Sequence, residues 1–449
     1  MARALILAPL SSLLLAACFH GHSYAPQRTV TTWREMQPAG QRSTTSARSA
    51  APAPGEPLTA DRAYALALAS SPALAAADAR ADVAEAGIKA ARQLENPELR
   101  LTNFNVDDVV SSQPGMNIGV RLPIPRPGTL RARAQGAKLG AEAERGLADD
   151  ARRQLRAAIF KLYARMAMLH ADLEQLARAS TLRGTQRDEV GARASQSVAT
   201  DLDLALAEVA HAQSLDEAAR IRGEMTRVEA ELQRLIGATA PPTMQVDPAE
   251  LQLRDLDLDR DALTERAMTA RPELRTAQTR VGQAQAEVYL ARSAAYPWFD
   301  WAQVQYRASP SSSPASFGFG VAITLPVLSL NRGEIKASRA LVRQRELEER
   351  AQIVAVASEV GEAIERVEQT ARRVKALETR LLPQIETATR AAESALAAGA
   401  LDPVTADTIA ARMVAARRTH IAAQLEHREA VIDLETAIGG SINPQRGAP

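Results

Sequence analysis

The sequence predicts a mainly α-helical protein with a small β component shaped to join a membrane barrel. Three observations predict it: a chain that repeats its own landmarks, two very long helical stretches, and two short hairpins with a two-residue period. Across 449 residues, aromatics make up only 3%, while Ala, Leu, Arg, Glu and Gln crowd almost every segment. That is the profile of long helices rather than of several compact cores. The 54 Lys and Arg nearly cancel the 53 Asp and Glu, leaving a formal charge of +1 and no electrostatic reason to propose nucleic-acid binding. A single Cys excludes an internal disulfide and a Cys-based zinc site. Beyond the N-terminus, no apolar run reaches the ~20 residues that a membrane-spanning helix needs, which excludes an α-helical transporter.

The first residues read as an export signal (1–17). Arg3 stands beside the starting amine, Ala4 to Leu15 is apolar, and small residues follow. Leu15-Ala16-Ala17-Cys18 resembles the lipobox of bacterial lipoproteins, which implies acylation of Cys18 with fatty chains such as palmitate. Phe19 follows, and the absence of Asp there implies, by the same resemblance, sorting to the outer membrane. The alternative is a Cys that falls by chance inside an ordinary signal peptide. Residues 18–57 are rich in Ser, Thr, Pro, Gln and Arg without an apolar period, and predict a flexible leader.

Two halves follow, 58–240 and 258–440, joined by a linker at 241–257 and ended by a tail at 441–449. Ser71-Pro72-Ala73-Leu74 returns as Arg271-Pro272-Glu273-Leu274, and Asn96-Pro97 as Tyr296-Pro297, roughly 200 residues downstream. Leu122-Pro123-Ile124 returns as Leu325-Pro326-Val327, Gly128 is matched with Gly333, and Leu235-Ile236-Gly237 with Ala437-Ile438-Gly439. Such a period is too long for a solenoid and marks a duplicated half.

Each half predicts the same series. A first helix covers Asp61 to Leu94 and Asp261 to Ala294, kinked or interrupted at Pro72 and Pro272. A hairpin at about 98–123 alternates Leu99 and Leu101, then Met116, Ile118, Val120 and Leu122, with polar neighbours. Its counterpart at about 298–326 alternates Phe317, Phe319, Val321, Ile323 and Leu325 with Gly318, Gly320, Ala322 and Thr324, and holds much of the scarce aromatic content. Long helices then run from Thr129 to Arg193 and from Glu334 to Ala398, each reaching roughly 95 Å, with a bend due at Pro383. After breaks at Ser197 to Thr200 and Gly399 to Asp402, return helices reach Ile236 and Ile438. Ile221, Met225, Val228, Leu232 and Leu235 step by heptad spacing, a coiled-coil seam.

Four strands of about ten residues are long enough to cross an outer membrane but too few to close, since bacterial barrels begin at about eight. Open edges in hydrocarbon cost several kcal/mol per unpaired group, so closure requires further copies of the chain.

With that organisation, the stretch 58–440 resembles the TolC-like outer-membrane factors of tripartite efflux and secretion systems. Leu325-Pro326-Val327-Leu328-Ser329-Leu330-Asn331-Arg332-Gly333-Glu334-Ile335 is most similar to their heavy-metal, CzcC-type branch. The resemblance implies a homotrimer with a 12-stranded barrel and a periplasmic α-helical tunnel. It also implies a passive exit duct for metal ions or drugs, fed by an RND-type inner-membrane pump through a periplasmic adaptor. The same architecture fits a type I protein-secretion duct. A lipid-anchored periplasmic coiled-coil scaffold without a pore is the reading from another class.

Phe317, Phe319, Val321, Ile323 and Leu325 are the candidate lipid-facing residues. Asp201, Asp203, Asp402 and Asp407 flank the helix breaks. By resemblance these form the tip, where acidic rings line the closed aperture; helix capping alone also accounts for acids at such positions. No basic residue follows Gly399, unlike TolC, so a latch built on such an Arg is not expected here. His420 and His427 lie about 10.5 Å apart along one helix and cannot share an ion, so solvated or lumen-facing rings are expected. Asp255-Leu256-Asp257-Leu258-Asp259 lacks the Gly and terminal acid of a calcium loop. Met166 and Met168 face different ways, against a copper site. No phosphate loop, nucleophile elbow or zinc-protease pair occurs, so neither a cofactor nor an enzyme is expected.

Overall fold

The computed structural model describes residues 58–102, 117–238, 244–253, 256–307, 316–397 and 403–442. Each half opens with two helices: α1 (Ala60–Ser70) and α2 (Pro72–Arg92) in the first, α5 (Arg260–Ala270) and α6 (Pro272–Ser293) in the second. The prolines do more than kink one helix. Proline pushes the preceding residue out of the helical region, and Ser71 and Arg271 are extended, with ψ of 118° and 123°. Each proline then starts the next helix, where its missing N–H costs nothing. Both breaks are tied to the end of their own half. Ser70 Oγ donates to Ile236 O at 2.7 Å, and Arg271 Nη1 donates to Ala437 O at 3.3 Å.

After α2 come β1 (Glu98–Thr102) and β2 (Asn117–Pro123); after α6 come β3 (Trp298–Arg307) and β4 (Ser316–Thr324). The four form one antiparallel sheet in the order β1-β2-β3-β4. The two hairpins are thus sewn together by β2 and β3, one strand from each half. In the first half α3 (Thr129–Ser195) and α4 (Asp201–Ile236) follow. In the second, α7 (Arg332–Ala376), α8 (Leu382–Ala397) and α9 (Pro403–Ala437) follow. Beside the sheet, helices pack as neighbours in the order α2, α3, α6, α7, which matches the strand order.

Two details correct the sequence reading. The left-handed residue before α3 is Gly128, at φ 78°, and its counterpart before α7 is Asn331, at φ 50°, rather than Gly333. Asn tolerates this region better than other side chains, so Gly333 is left inside the helix. The disturbance at Pro383 lies ahead of it, as a π turn at Leu377–Leu381 in which Leu382 N–H reaches back to Leu377 O. A proline ring collides with the carbonyl four residues earlier, and the wider turn moves that carbonyl away.

The core of the first half joins Ile159, Met166 and Leu169 of α3 to Ile221, Val228 and Leu232 of α4, with Leu58 and Met244 closing its end. The heptad seam is therefore where the spacing places it, except that Met225 and Leu235 are only partly buried and Ile236 takes the last place. In the second half, Val356, Val360, Ile364 and Val367 of α7 meet Ala430, Val431 and Leu434 of α9. Each Val, Ile, Leu or Met among these contributes about 1.5–3 kcal/mol on full burial.

His427 belongs to this second core and not to a solvated face. It is 4% exposed, and its Nδ1 lies 3.1 Å from Thr370 Oγ1. His420 is also partly enclosed, with Nε2 3.3 Å from Glu378 Oε1 beside the π turn. The periodicity reading missed this because each ring turns into the interhelical seam, where a hydroxyl or carboxylate on the facing helix satisfies it. Burial, helped by nearby Arg428 and opposed by a hydrogen bond involving the Val367 backbone, holds the His427 imidazole below its usual 6.5. A depressed native value means that only the unfolded chain gains a proton as pH first drops below 6.5. Native stability from this group is therefore complete above that pH and is lost as pH falls toward the native value. His427→Gln is expected to flatten the acid-side decline of the thermal midpoint relative to the native chain, measured by circular dichroism in detergent. Parallel declines would show that His427 does not titrate with folding.

Candidate functional site: a two-faced sheet and an ion-paired helix tip

Strand register sorts the sheet into two unlike faces. Leu99 pairs with Val120 and Leu101 with Ile118; those residues pair onward with Val304 and Tyr306, which face Phe319 and Phe317. Leu122, Ala302 and Val321 continue the same row. Since side chains alternate between faces, all of these lie on one side, and that side is apolar from β1 to β4. It is open: Phe317 is 70% exposed, Phe319 83% and Val321 63%. A bulge at Asp300 shifts the parity of β3, so that Phe299 pairs with Ile323 and joins the apolar face. Of the five lipid-facing candidates, Phe317, Phe319, Val321 and Ile323 lie in β4, while Leu325 sits just beyond its end.

The opposite face carries Glu98, Arg100, Thr102, Asn117, Arg121, Gln303 and Gln305. Arg121 pairs with Glu98 at 3.3 Å and lays its guanidinium 4.4 Å from the Trp301 ring centroid. Glycine at 119 eases the close approach of β2 and β3, since a Cβ there would crowd Gln305 Cβ at 3.2 Å and Val304 O at 3.3 Å. At the base of the sheet, the loop after β2 clasps the second half. Ile124 N donates to Asp300 O at 2.9 Å, Trp298 Nε1 donates to Ile124 O at 3.0 Å, and Arg126 reaches the carbonyls of Ser293 and Tyr296.

At the far end of the helices, the predicted acids have separate fates. Asp203 closes a capping box: its carboxylate accepts from Thr200 N at 2.9 Å, and Thr200 Oγ1 accepts from Asp203 N. Asp201 is exposed in the first turn of α4, where a negative charge complements the helix dipole. Asp407 instead accepts from Arg183 Nε on α3 at 2.7 Å, joining the two halves. Asp402 lies outside the described residues, as do Cys18 and Asp255. Of the two described acids of the calcium-like run, Asp257 and Asp259, Asp259 caps α5, accepting from Asp261 N and Ala262 N.

Sequence reasoning missed a second bridge. Arg418 of α9 binds Asp172 of α3 through Nε at 2.8 Å and Nη2 at 3.0 Å, and also reaches Glu217 of α4. Burial opposes the charge of Arg418, but its hydrogen bonds to the Asp172 and Glu217 carboxylates outweigh it and hold the guanidinium above its usual range. The signal was an Arg on one half and acids on the other, separated by too many residues for any motif to link them. Around these bridges, Leu176, Leu182, Ile409, Met413 and Val414 line a cleft of about 500 Å³ between the halves. Among the described residues, no cluster of His, Cys, Asp and Glu is fit to hold a metal, and no helix is long and apolar enough to cross a membrane.

The described residues thus form a four-stranded sheet with one apolar and one polar face, continued by long paired helices. Residues 63–238 and 263–440 match the family described as outer membrane efflux protein. The chain belongs to that family, whose TolC-like members its duplicated landmarks resemble. Among curated proteins, none matches the chain. Solved structures share its fold. CusC is 17% identical with a TM-score of 0.71, over 85% of this chain and 92% of that one. The open-state MtrE channel of Neisseria gonorrhoeae is 16% identical with a TM-score of 0.70, over 86% and 89%. VceC of Vibrio cholerae is 18% identical with a TM-score of 0.68, over 86% and 97%.

Asp172 is nearly enclosed, with 8% of its side chain exposed. Arg418→Ala would leave that carboxylate unpaired and is expected to destabilise the fold by about 2–4 kcal/mol. Arg418→Met combined with Asp172→Leu is expected to recover most of the loss, read from denaturant midpoints in detergent. Equal loss in both variants would show that packing, not charge pairing, holds this joint.

Proposed function

We propose that three copies of this chain close their sheets into a 12-stranded outer-membrane barrel and their helices into a periplasmic tunnel. The assembly is a passive exit duct for metal ions or drugs delivered by an RND-type inner-membrane pump and a periplasmic adaptor, with Cys18 as its lipid anchor. One observation carries the reading: an exposed apolar face runs unbroken through both halves, while β1 and β4 end the sheet as edges. Water disfavours the face and hydrocarbon disfavours the edges. Closure around a ring of copies satisfies both, turning the apolar side to lipid and the Arg121–Trp301 side to the lumen.

The Arg183–Asp407 and Arg418–Asp172 bridges then act as latches. They hold the second half's return helix against the first half, and an iris-like opening of the tip requires them to part. Segment 325–335 supports heavy-metal cargo within the family. A type I secretion duct would share the pore, and a pore-free scaffold would not conduct.

Val321→Arg is expected to cost about 2–4 kcal/mol of insertion near the midplane and to reduce heat-resistant trimers in membranes. Undiminished trimers would mean that Val321 does not meet lipid. In planar bilayers the native protein is expected to conduct weakly, and Arg183→Ala with Arg418→Ala to raise conductance several-fold through a wider tip. No current from either protein would favour the scaffold.

A further inference from the structure

The joint between the two halves is a template for the joint between copies. Inside the chain, β2 pairs with β3 while α3 packs on α6, and the free flanks are β1 with α2 on one side and β4 with α7 on the other. The halves correspond element by element in order: α3 and α7 both start after a left-handed residue, and α2 and α6 both start at a proline. A ring of copies therefore places α7 of one copy against α2 of the next in the manner of α3 against α6.

What fills the two joints differs. Within the chain the helices touch through small residues: a Cβ on Gly136 would meet Ala286 at 3.6 Å, and one on Gly140 would meet Gln283 at 3.6 Å. Counted from the helix starts, Arg339 and Arg343 of α7 stand where Gly136 and Gly140 stand in α3. Ala86 and Val83 of α2 stand where Ala286 and Gln283 stand in α6, with Asp82 beside Val83. Lys89 likewise replaces Tyr289, whose hydroxyl packs on Gly128 at the start of α3. Its opposite number is the start of α7, where Glu334 occupies the first turn.

Arg339, Arg343, Glu334, Asp82 and Lys89 are exposed, and within one chain none has an ion-pair partner among the described residues. Asp82 takes the place of Gly282, where a Cβ would meet Leu139, the neighbour of Gly140, so the same packing brings Arg343 next to Asp82 and Lys89 next to the first turn of α7. We infer that the seam between copies is ionic, with Arg343 (flanked by Arg339) against Asp82 and Lys89 against Glu334, where the seam within the chain is packed through glycine. This inference rests on the trimeric reading above. Each exposed pair is weak alone, but ring closure repeats it at every seam.

The test uses the full-length protein in detergent, with oligomeric state read by mass photometry at rising salt. Asp82→Arg and Arg343→Glu are each expected to lower the trimer population roughly tenfold, and the double exchange to restore it, since the reversed pair again attracts. Native trimers are expected to loosen as salt rises. Ala86→Cys with Arg339→Cys is expected to yield oxidised dimers and trimers in denaturing gels. Native protein that stays monomeric would defeat the trimeric reading itself. Native trimers with additive charge reversals and no crosslink would overturn the ionic seam alone. A trimer yield in the Arg343 variant that tracks only the anionic lipid content of added vesicles would do the same, by assigning the basic residues to the membrane surface.

Discussion

The pairing of β2 with β3 is the constraint on which the rest of the structure depends. It is the point at which the two halves share backbone hydrogen bonds, and its register aligns Ile118 with Tyr306 and Val120 with Val304. A slip of one residue would turn the apolar row of one hairpin against the polar row of the other, because strand side chains alternate. The bulge at Asp300 preserves the match near the end of β3, where Phe299 would otherwise turn to the polar side. The clasp of Arg126 and Ile124 below the sheet carries the same alignment into the helices.

From that joint outward, packing in the helical part changes character with distance. Beside the sheet, α3 and α6 approach closely through glycine and alanine. Midway, Arg153 of α3 spans to Glu273 at 2.6 Å and to Thr436 O at 2.7 Å. At the far end the halves are held by guanidinium–carboxylate pairs across a partly open cleft. Close apolar packing resists sliding by its shape, whereas these mostly enclosed ion pairs hold through a few directional bonds whose loss leaves a carboxylate without its partner. The halves are thus joined by close small-residue packing near the sheet and by a few discrete ion pairs at the far end.

Much of the element series was legible because it rests on local chemistry. Proline at 72 and 272, the Thr200–Asp203 box and the alternation in β4 each act within a few residues. The candidate site was legible only in part. Phe317 to Ile323 could be read from their period, yet the matching face on β1 and β2 needed the register of a pairing between distant segments. Asp407 was noticed as an acid near a break, while Arg183, its partner, had no local mark.

By itself the sequence determined a duplicated helical chain with two amphipathic hairpins, because periodicity and helix punctuation are short-range effects. The tertiary structure decided which residues meet: His427 in a core, Asp407 on Arg183, Asp172 on Arg418, Asn331 in the role assigned to glycine. Such contacts depend on how long helices rotate against one another, and that rotation is settled by the whole packed interface rather than by any stretch of the chain.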